Sequence, residues 1–160
     1  MTAFQRFIGL VVFIIVLDQF TKWLAVKFIG VGNITIIPEF FDLTIVWNKG
    51  AAFGILANAP ESIRKLILIG ASSVAAVATI LYAYKKSNQL SRLEFYSLAL
   101  IAGGALGNLY DRLFLGSVRD FIDLHIGKYH WPAFNVADMA ITIGIVGFII
   151  SEMLLKKKKV

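Results

Sequence analysis

Apolar residues run along the chain in four blocks, each about the length that crosses a bilayer as a helix. A spanning helix needs about 20 mostly apolar residues. The blocks lie at Phe7–Phe28, Leu66–Tyr84, Phe95–Leu113 and Val136–Leu155. The first is interrupted by Asp18 and Lys22, the second carries no charge, and the third turns polar only toward its end. The fourth begins beside Asp138 and ends near Glu152. Between the first two blocks the pattern changes. Ile34–Ile37 and Leu43–Trp47 are rich in branched and aromatic residues, with Pro38 and Glu39 between them. Two short strands with a turn over Pro38–Asp42 fit this pattern, and together they predict a small sheet on the outer membrane face. Pro60–Arg64 reads as the start of the second helix, with proline near the first helical position. Arg6 and Phe7–Leu17 resemble the start and core of a cleaved signal peptide. No small-x-small site follows, and apolar residues continue past Asp18, so the block is read as a span.

Composition supports a membrane protein. Hydrophobic residues make up 58% of the 160 residues, against roughly 45–50% in soluble domains. The length suits one domain over 1–160. The absence of cysteine excludes disulfides, thiolate metal sites, cysteine nucleophiles and a lipid-modified cysteine on this chain. Much of the net charge of +6 lies in Lys156–Lys159, directly after an apolar run, as expected of an anchor facing anionic lipid. No basic stripe is interleaved with exposed aromatics, so nucleic acid is not an expected partner. Lys85, Lys86 and Arg92 between spans two and three, together with the lysine tail, place those segments in the cytoplasm. Four spans then put both termini there, and 29–65 and 114–135 become outer loops. Lys49, Arg119 and Lys128 lie in those loops and weaken the asymmetry.

Polar residues inside the spans carry the chemistry. A charge at bilayer depth costs at least about 2.5–3.5 kcal/mol on insertion scales, so it is paired or functional. Asp18 and Lys22 are four apart and share a helix face. They read either as a structural ion pair or as part of a polar site. Gly104, Asn108 and Arg112 form one stripe along span three. Interhelical hydrogen bonding and snorkelling to the interface explain Asn108 and Arg112 equally well. Gly103 and Gly107 make a GxxxG spacing, which means close helix packing. Asp111 reads as an interface partner. Asp120 lies just outside span three, and Asp138 lies in the first turn of span four. Asn135 suits an N-cap, and a carboxylate three residues later resembles a capping box. Asp120 reads equally as a solvated loop acid, with Asp123 as a nearby decoy. The segment between Asp120 and Asp138 is short enough to bring both carboxylates to one depth. Such a pair cannot both ionise easily, and a shared proton offers an acid and a base together. That suits activation of water against a peptide carbonyl.

Other chemistries are weaker. A serine–lysine pair would have to use Ser117 with Lys49 or Lys22, and no motif supports it. His125 and His130 are five apart, not the four of a zinc-protease helix. A proton-coupled transporter would line a pathway with Asp18, Lys22, Asn108, Arg112 and Asp138. It predicts charges through the full membrane depth, whereas the inner halves of spans two to four are nearly uncharged.

The motifs resemble those of the bacterial lipoprotein signal peptidases, the signal peptidase II family, over nearly the whole chain. The matching blocks are DQFTK at Asp18–Lys22, NKGAAFG at Asn48–Gly54 and GGALGNLYDRL at Gly103–Leu113. VRDFID at Val118–Asp123 and WPAFNVADMAI at Trp131–Ile141 complete them. The resemblance implies a mainly α membrane enzyme with four transmembrane helices and a small extracytoplasmic β-cradle between helices 1 and 2. It implies a cofactor-free aspartic endopeptidase of the bacterial inner membrane. That enzyme removes signal peptides from diacylglyceryl-modified prolipoproteins, N-terminal to the lipidated cysteine. Its catalytic aspartates fall on Asp120 and Asp138, and its polar site residues on Asp18, Asn48, Asn108, Arg112 and Asn135. Lys22 and Gly104 join this supporting set through the shared helix faces described above. The expected partners are prolipoproteins, membrane lipid and globomycin-type inhibitors, met by a monomer. Two positions depart from the family pattern, Arg119 before the first aspartate and Met139 after the second. Arg119 is expected to lower the pKa of Asp120 by proximity.

Overall fold

The structure is a computed structural model that describes residues 1–50 and 60–157, with side chains described as far as residue 154. Helix α1 (Ala3–Ile29) leads into strands β1 (Asn33–Ile37) and β2 (Phe41–Asn48). Helices α2 (Glu61–Lys86) and α3 (Arg92–Phe114) follow, then strands β3 (Val118–Ile126) and β4 (Tyr129–His130), and finally α4 (Val136–Lys157). The four apolar blocks lie within the four helices, and polar caps set the starts of α1 and α3. Thr2 with Gln5 and Ser91 with Glu94 form reciprocal capping boxes at the starts of α1 and α3, each satisfying backbone donors a helix start would otherwise leave open. Pro60 sits at the N-cap of α2, one residue before the first helical position.

Helices α1, α2 and α4 are long and apolar enough to cross a membrane. Helix α3 has the length, but its glycines, tyrosines and Asn108 dilute its apolar character. Those small residues also let it occupy the centre, where it packs against α1, α2 and α4. A Cβ on Gly103 would lie 2.7 Å from Ile14 of α1, and one on Gly104 would collide with the Ala137 carbonyl of α4. A Cβ on Gly107 would lie 2.6 Å from Asp18 of α1, so the GxxxG pair Gly103 and Gly107 marks close packing, as its sequence implied. Large apolar side chains such as Phe13, Leu66, Val74 and Ile143 are more than half exposed, as expected for helices solvated by lipid. The interior divides in two. Phe7, Val11, Ala83, Leu98, Ala99 and Ala102 form an apolar core at the end holding the α2–α3 turn. The end holding the strands is polar inside, with Asp18, Lys22, Asn108, Asp111, Asp120 and Asn135 all buried.

The strands form one antiparallel sheet in the order β1-β2-β3-β4. The expected hairpin between helices 1 and 2 is present, with Glu39 at a φ of +60° in its turn. The cradle nevertheless extends beyond that loop. The segment after α3, expected as a loop, supplies β3 and β4, so both connections on this side build the sheet. Register pairs Val46 with Asp120 and Asn48 with Val118, which sets Asn48 beside Asp120. Of the NKGAAFG block, Asn48–Gly50 is described and 51–54 lies outside the described residues.

Candidate active site

Strand β3 and the start of α4 deliver two carboxylates to one cavity. Asp120, on β3, is 2% exposed. It is a buried strand residue, not a solvated loop acid. Its Oδ2 accepts from Asn48 Nδ2 at 2.9 Å, and its Oδ1 accepts from Asn135 Nδ2 at 2.6 Å. Asn48 is itself oriented by the Gly50 amide, which donates to its Oδ1 at 2.9 Å. Asp138 Oδ2 accepts from the Asn135 amide at 3.2 Å, and the Asp138 amide donates to Asn135 Oδ1 at 3.0 Å. That reciprocal pair is the capping box read from the sequence, and it coexists with a place in the site. The other oxygen, Oδ1, accepts from Asn108 Nδ2 at 2.8 Å. Asn135 therefore bonds both aspartates, through its side chain to one and its backbone to the other.

Behind the aspartates lies a charged layer. Lys22 is fully buried and donates to Asp18 at 2.7 Å and to Asn108 Oδ1 at 2.9 Å, with Asp111 at 3.4 Å. The ammonium fixes which end of Asn108 faces it, leaving Nδ2 for Asp138. Asp18 Oδ1 accepts from the Ala137 amide at 2.9 Å, so α1 also caps the start of α4, where a carboxylate suits the helix dipole. Asp18 and Lys22 are thus an ion pair and part of the polar layer at once. Asp111 is likewise fully buried, bonded to Gln19 and Arg119. It belongs to the interior, not to the interface where it was expected.

A cavity of about 540 Å³ opens over this layer. Asn48, Arg112, Asp120 and Asp138 line it, with Trp131, Pro132, Phe134, Met139 and Ile143 as apolar walls. Arg112 also donates to Ser72 of α2 at 3.2 Å. Gly104 does not line the cavity; it supports the site by letting α4 approach α3. Burial pushes the Asp120 carboxyl up to about 7, with the nearby Asp138 charge adding to it and the Asn48 and Asn135 bonds working against it. The expected effect of Arg119 on Asp120 is not what the structure shows. Its guanidinium is turned away, engaged by Asp111 and Gln19, and the shift runs upward.

Asp123 pairs with His130 at 2.9 Å, and His125 stacks on His130 at 4.6 Å between ring centres. Among the described residues no cluster of three or more His, Cys, Asp or Glu is arranged to hold a metal. Lys22 is committed to Asp18 and Asn108, not to Ser117. Sequence reasoning did not anticipate Gln19 or the inward role of Asp111 and Arg119. It also did not anticipate that 131–134 would form a cavity wall.

Residues 10–154 match the family described as signal peptidase (SPase) II. A lipoprotein signal peptidase of Sulfurihydrogenibium sp. (strain YO3AOP1) is 58% identical, over 96% of this chain and 94% of that one. The lipoprotein signal peptidase of Aquifex aeolicus (strain VF5) is 44% identical, over 94% and 87%. A bacterial membrane enzyme solved by the in meso method at 2.3 Å superposes with a TM-score of 0.79 at 34% identity, covering 96% of this chain and 90% of its own. A second, at 1.9 Å, gives 0.77 at 31% identity, with 92% of each covered.

Proposed function

The chain belongs to the signal peptidase II family, and from that premise we propose that it is an intramembrane aspartic endopeptidase. It cleaves diacylglyceryl-modified prolipoproteins N-terminal to the lipidated cysteine, with Asp120 and Asp138 as the catalytic pair. The observation that carries this reading is Asn135, bonded to both carboxylates at the wall of one cavity.

Asp120 is buried and Asp138 half-buried, and the charge of Asp138 acts on Asp120, so one proton is shared between them. The ionised member takes a proton from water as its oxygen attacks the scissile carbonyl. The protonated member supplies the proton that the departing amine needs as the C–N bond breaks. The products are a free carboxylate on the signal peptide and a free amine on the cysteine. Asn48, Asn108 and Asn135 are neutral donors that hold the carboxylates in place without neutralising them. Lys22 and Arg112 supply positive charge at the site.

Helix α3 is proposed as the fourth span of a single membrane domain in the bacterial inner membrane. Lys85, Lys86 and Arg92 put the α2–α3 turn and both termini in the cytoplasm, which turns the sheet and cavity outward. The enzyme is proposed to act as a monomer. The cavity wall at Met139 and Ile143 is apolar and lies on a membrane helix, where acyl chains approach from the bilayer.

The lipid requirement tests this reading. Purified enzyme is expected to cleave a diacylglyceryl-modified precursor at least about tenfold faster than the same unmodified precursor, because two chains anchor the scissile bond at the membrane. Equal turnover of the two, followed by gel shift, would count against it.

A further inference from the structure

Asp111 joins three elements beside the catalytic strand. Its Oδ2 accepts from the Arg119 backbone amide at 3.0 Å and from Arg119 Nε at 3.2 Å. Its Oδ1 accepts from Arg119 Nη2 at 2.7 Å and from Gln19 Nε2 at 3.0 Å. Arg119 Nη2 also donates to Gln19 Oε1 at 2.7 Å. The guanidinium therefore grips the carboxylate with two donors of one edge, Nε and Nη2, a bidentate geometry that fixes direction as well as distance. Successive strand residues point to opposite faces. Arg119 turns into the helices while Asp120, the next residue, turns into the cavity.

We propose that Arg119 is a positioning residue that sets both aspartates through Asp111; the proposal rests on the dyad reading above. The first route is the backbone. The clamp pins β3 to α1 and α3 one residue before Asp120, which fixes the depth at which that carboxylate enters the cavity. The second route is Lys22. Its ammonium stands 3.4 Å from Asp111 but 2.9 Å from Asn108 Oδ1. With Arg119 in place, Asp111 already has a cation, and Lys22 stays on Asn108, which holds Asp138. Without the guanidinium, buried Asp111 draws Lys22 toward itself and releases Asn108.

Arg119→Met, Arg119→Lys and Asp120→Asn are compared with the parent enzyme on a lipid-modified precursor, with kcat and KM measured per folded, monodisperse protein. The expected result is a loss of about 10- to 100-fold in kcat for Arg119→Met, the scale of a small misplacement of a reacting group. KM stays within about threefold, because Arg119 does not line the cavity. Arg119→Lys, which keeps the charge but not the fork, recovers part of the loss. If Arg119→Met does not fold, Arg119→Gln, which keeps an amide donor for Asp111, carries the comparison. Parental kcat in the apolar or amide variant overturns the proposal, as does a loss seen only in KM or one that lysine does not relieve. Activity retained in Asp120→Asn overturns the dyad itself, which separates the two failures.

Discussion

Asp120→Asn and Asp138→Asn are each expected to cut cleavage of a lipid-modified precursor by at least about 10⁴-fold, the scale seen when one member of a coupled catalytic group is removed. Asparagine matches aspartate in shape but cannot carry the shared proton or take one from water. Folding should survive both changes. Among the described residues, Asp120 accepts hydrogen bonds from the side-chain amides of Asn48 and Asn135, and an amide oxygen replaces one acceptor. Asp138→Asn weakens the cap on α4, a cost of about 1 kcal/mol. Membrane insertion, monodispersity and thermal unfolding separate a dead enzyme from an unfolded one. A folded variant at either position with parental turnover would reject the pair.

The second large effect is on stability. Lys22→Met should destabilise the protein by about 3–5 kcal/mol, because it leaves buried carboxylates without their cation. Lys22 is fully buried, as are its partners Asp18 and Asp111. The exposed pair Lys65–Glu61 is as short, at 2.6 Å, yet Lys65→Met should leave thermal unfolding close to that of the parent, since water screens the pair. Thermal unfolding of both variants in the same detergent makes the comparison. Similar losses for the two would show that burial of Lys22 adds nothing. Lys22→Met is also expected to lower activity, because it frees Asn108 and with it Asp138.

The helices were legible because the membrane imposes a length and an apolar content that each block either meets or approaches. The polar site was legible for a related reason: Asp18, Lys22 and Asn108 are costly at that depth unless they are paired. Family motifs were needed to separate Asp120 from Asp123. A period-two signal for β3 was nevertheless present. Val118, Ile122, Leu124 and Ile126 alternate along one face, and Asp120 interrupts that apolar row. The Asp111–Arg119–Gln19 clamp was not readable, since it joins residues up to 100 positions apart that only the packing of α1, α3 and β3 brings together. The direction of Arg119 failed for the same reason. Adjacency in sequence suggested a cation beside Asp120, whereas strand alternation sends the two side chains apart.

The sharing of one proton between Asp120 and Asp138 is tested most directly by the pH dependence of kcat/KM, which reports the ionisations of the free enzyme. Asp120 is pushed up to about 7, and the charges facing it are Asp138 from α4 and Lys22 from α1, with Arg112 of α3 across the cavity. A raised carboxyl keeps its proton below that value and loses it above. Activity should therefore fall tenfold per pH unit above about 7, as the pair loses its remaining proton, and fall again in acid once both members are protonated. A profile that stays flat from about pH 6 to about pH 9 would contradict a shared proton at this site.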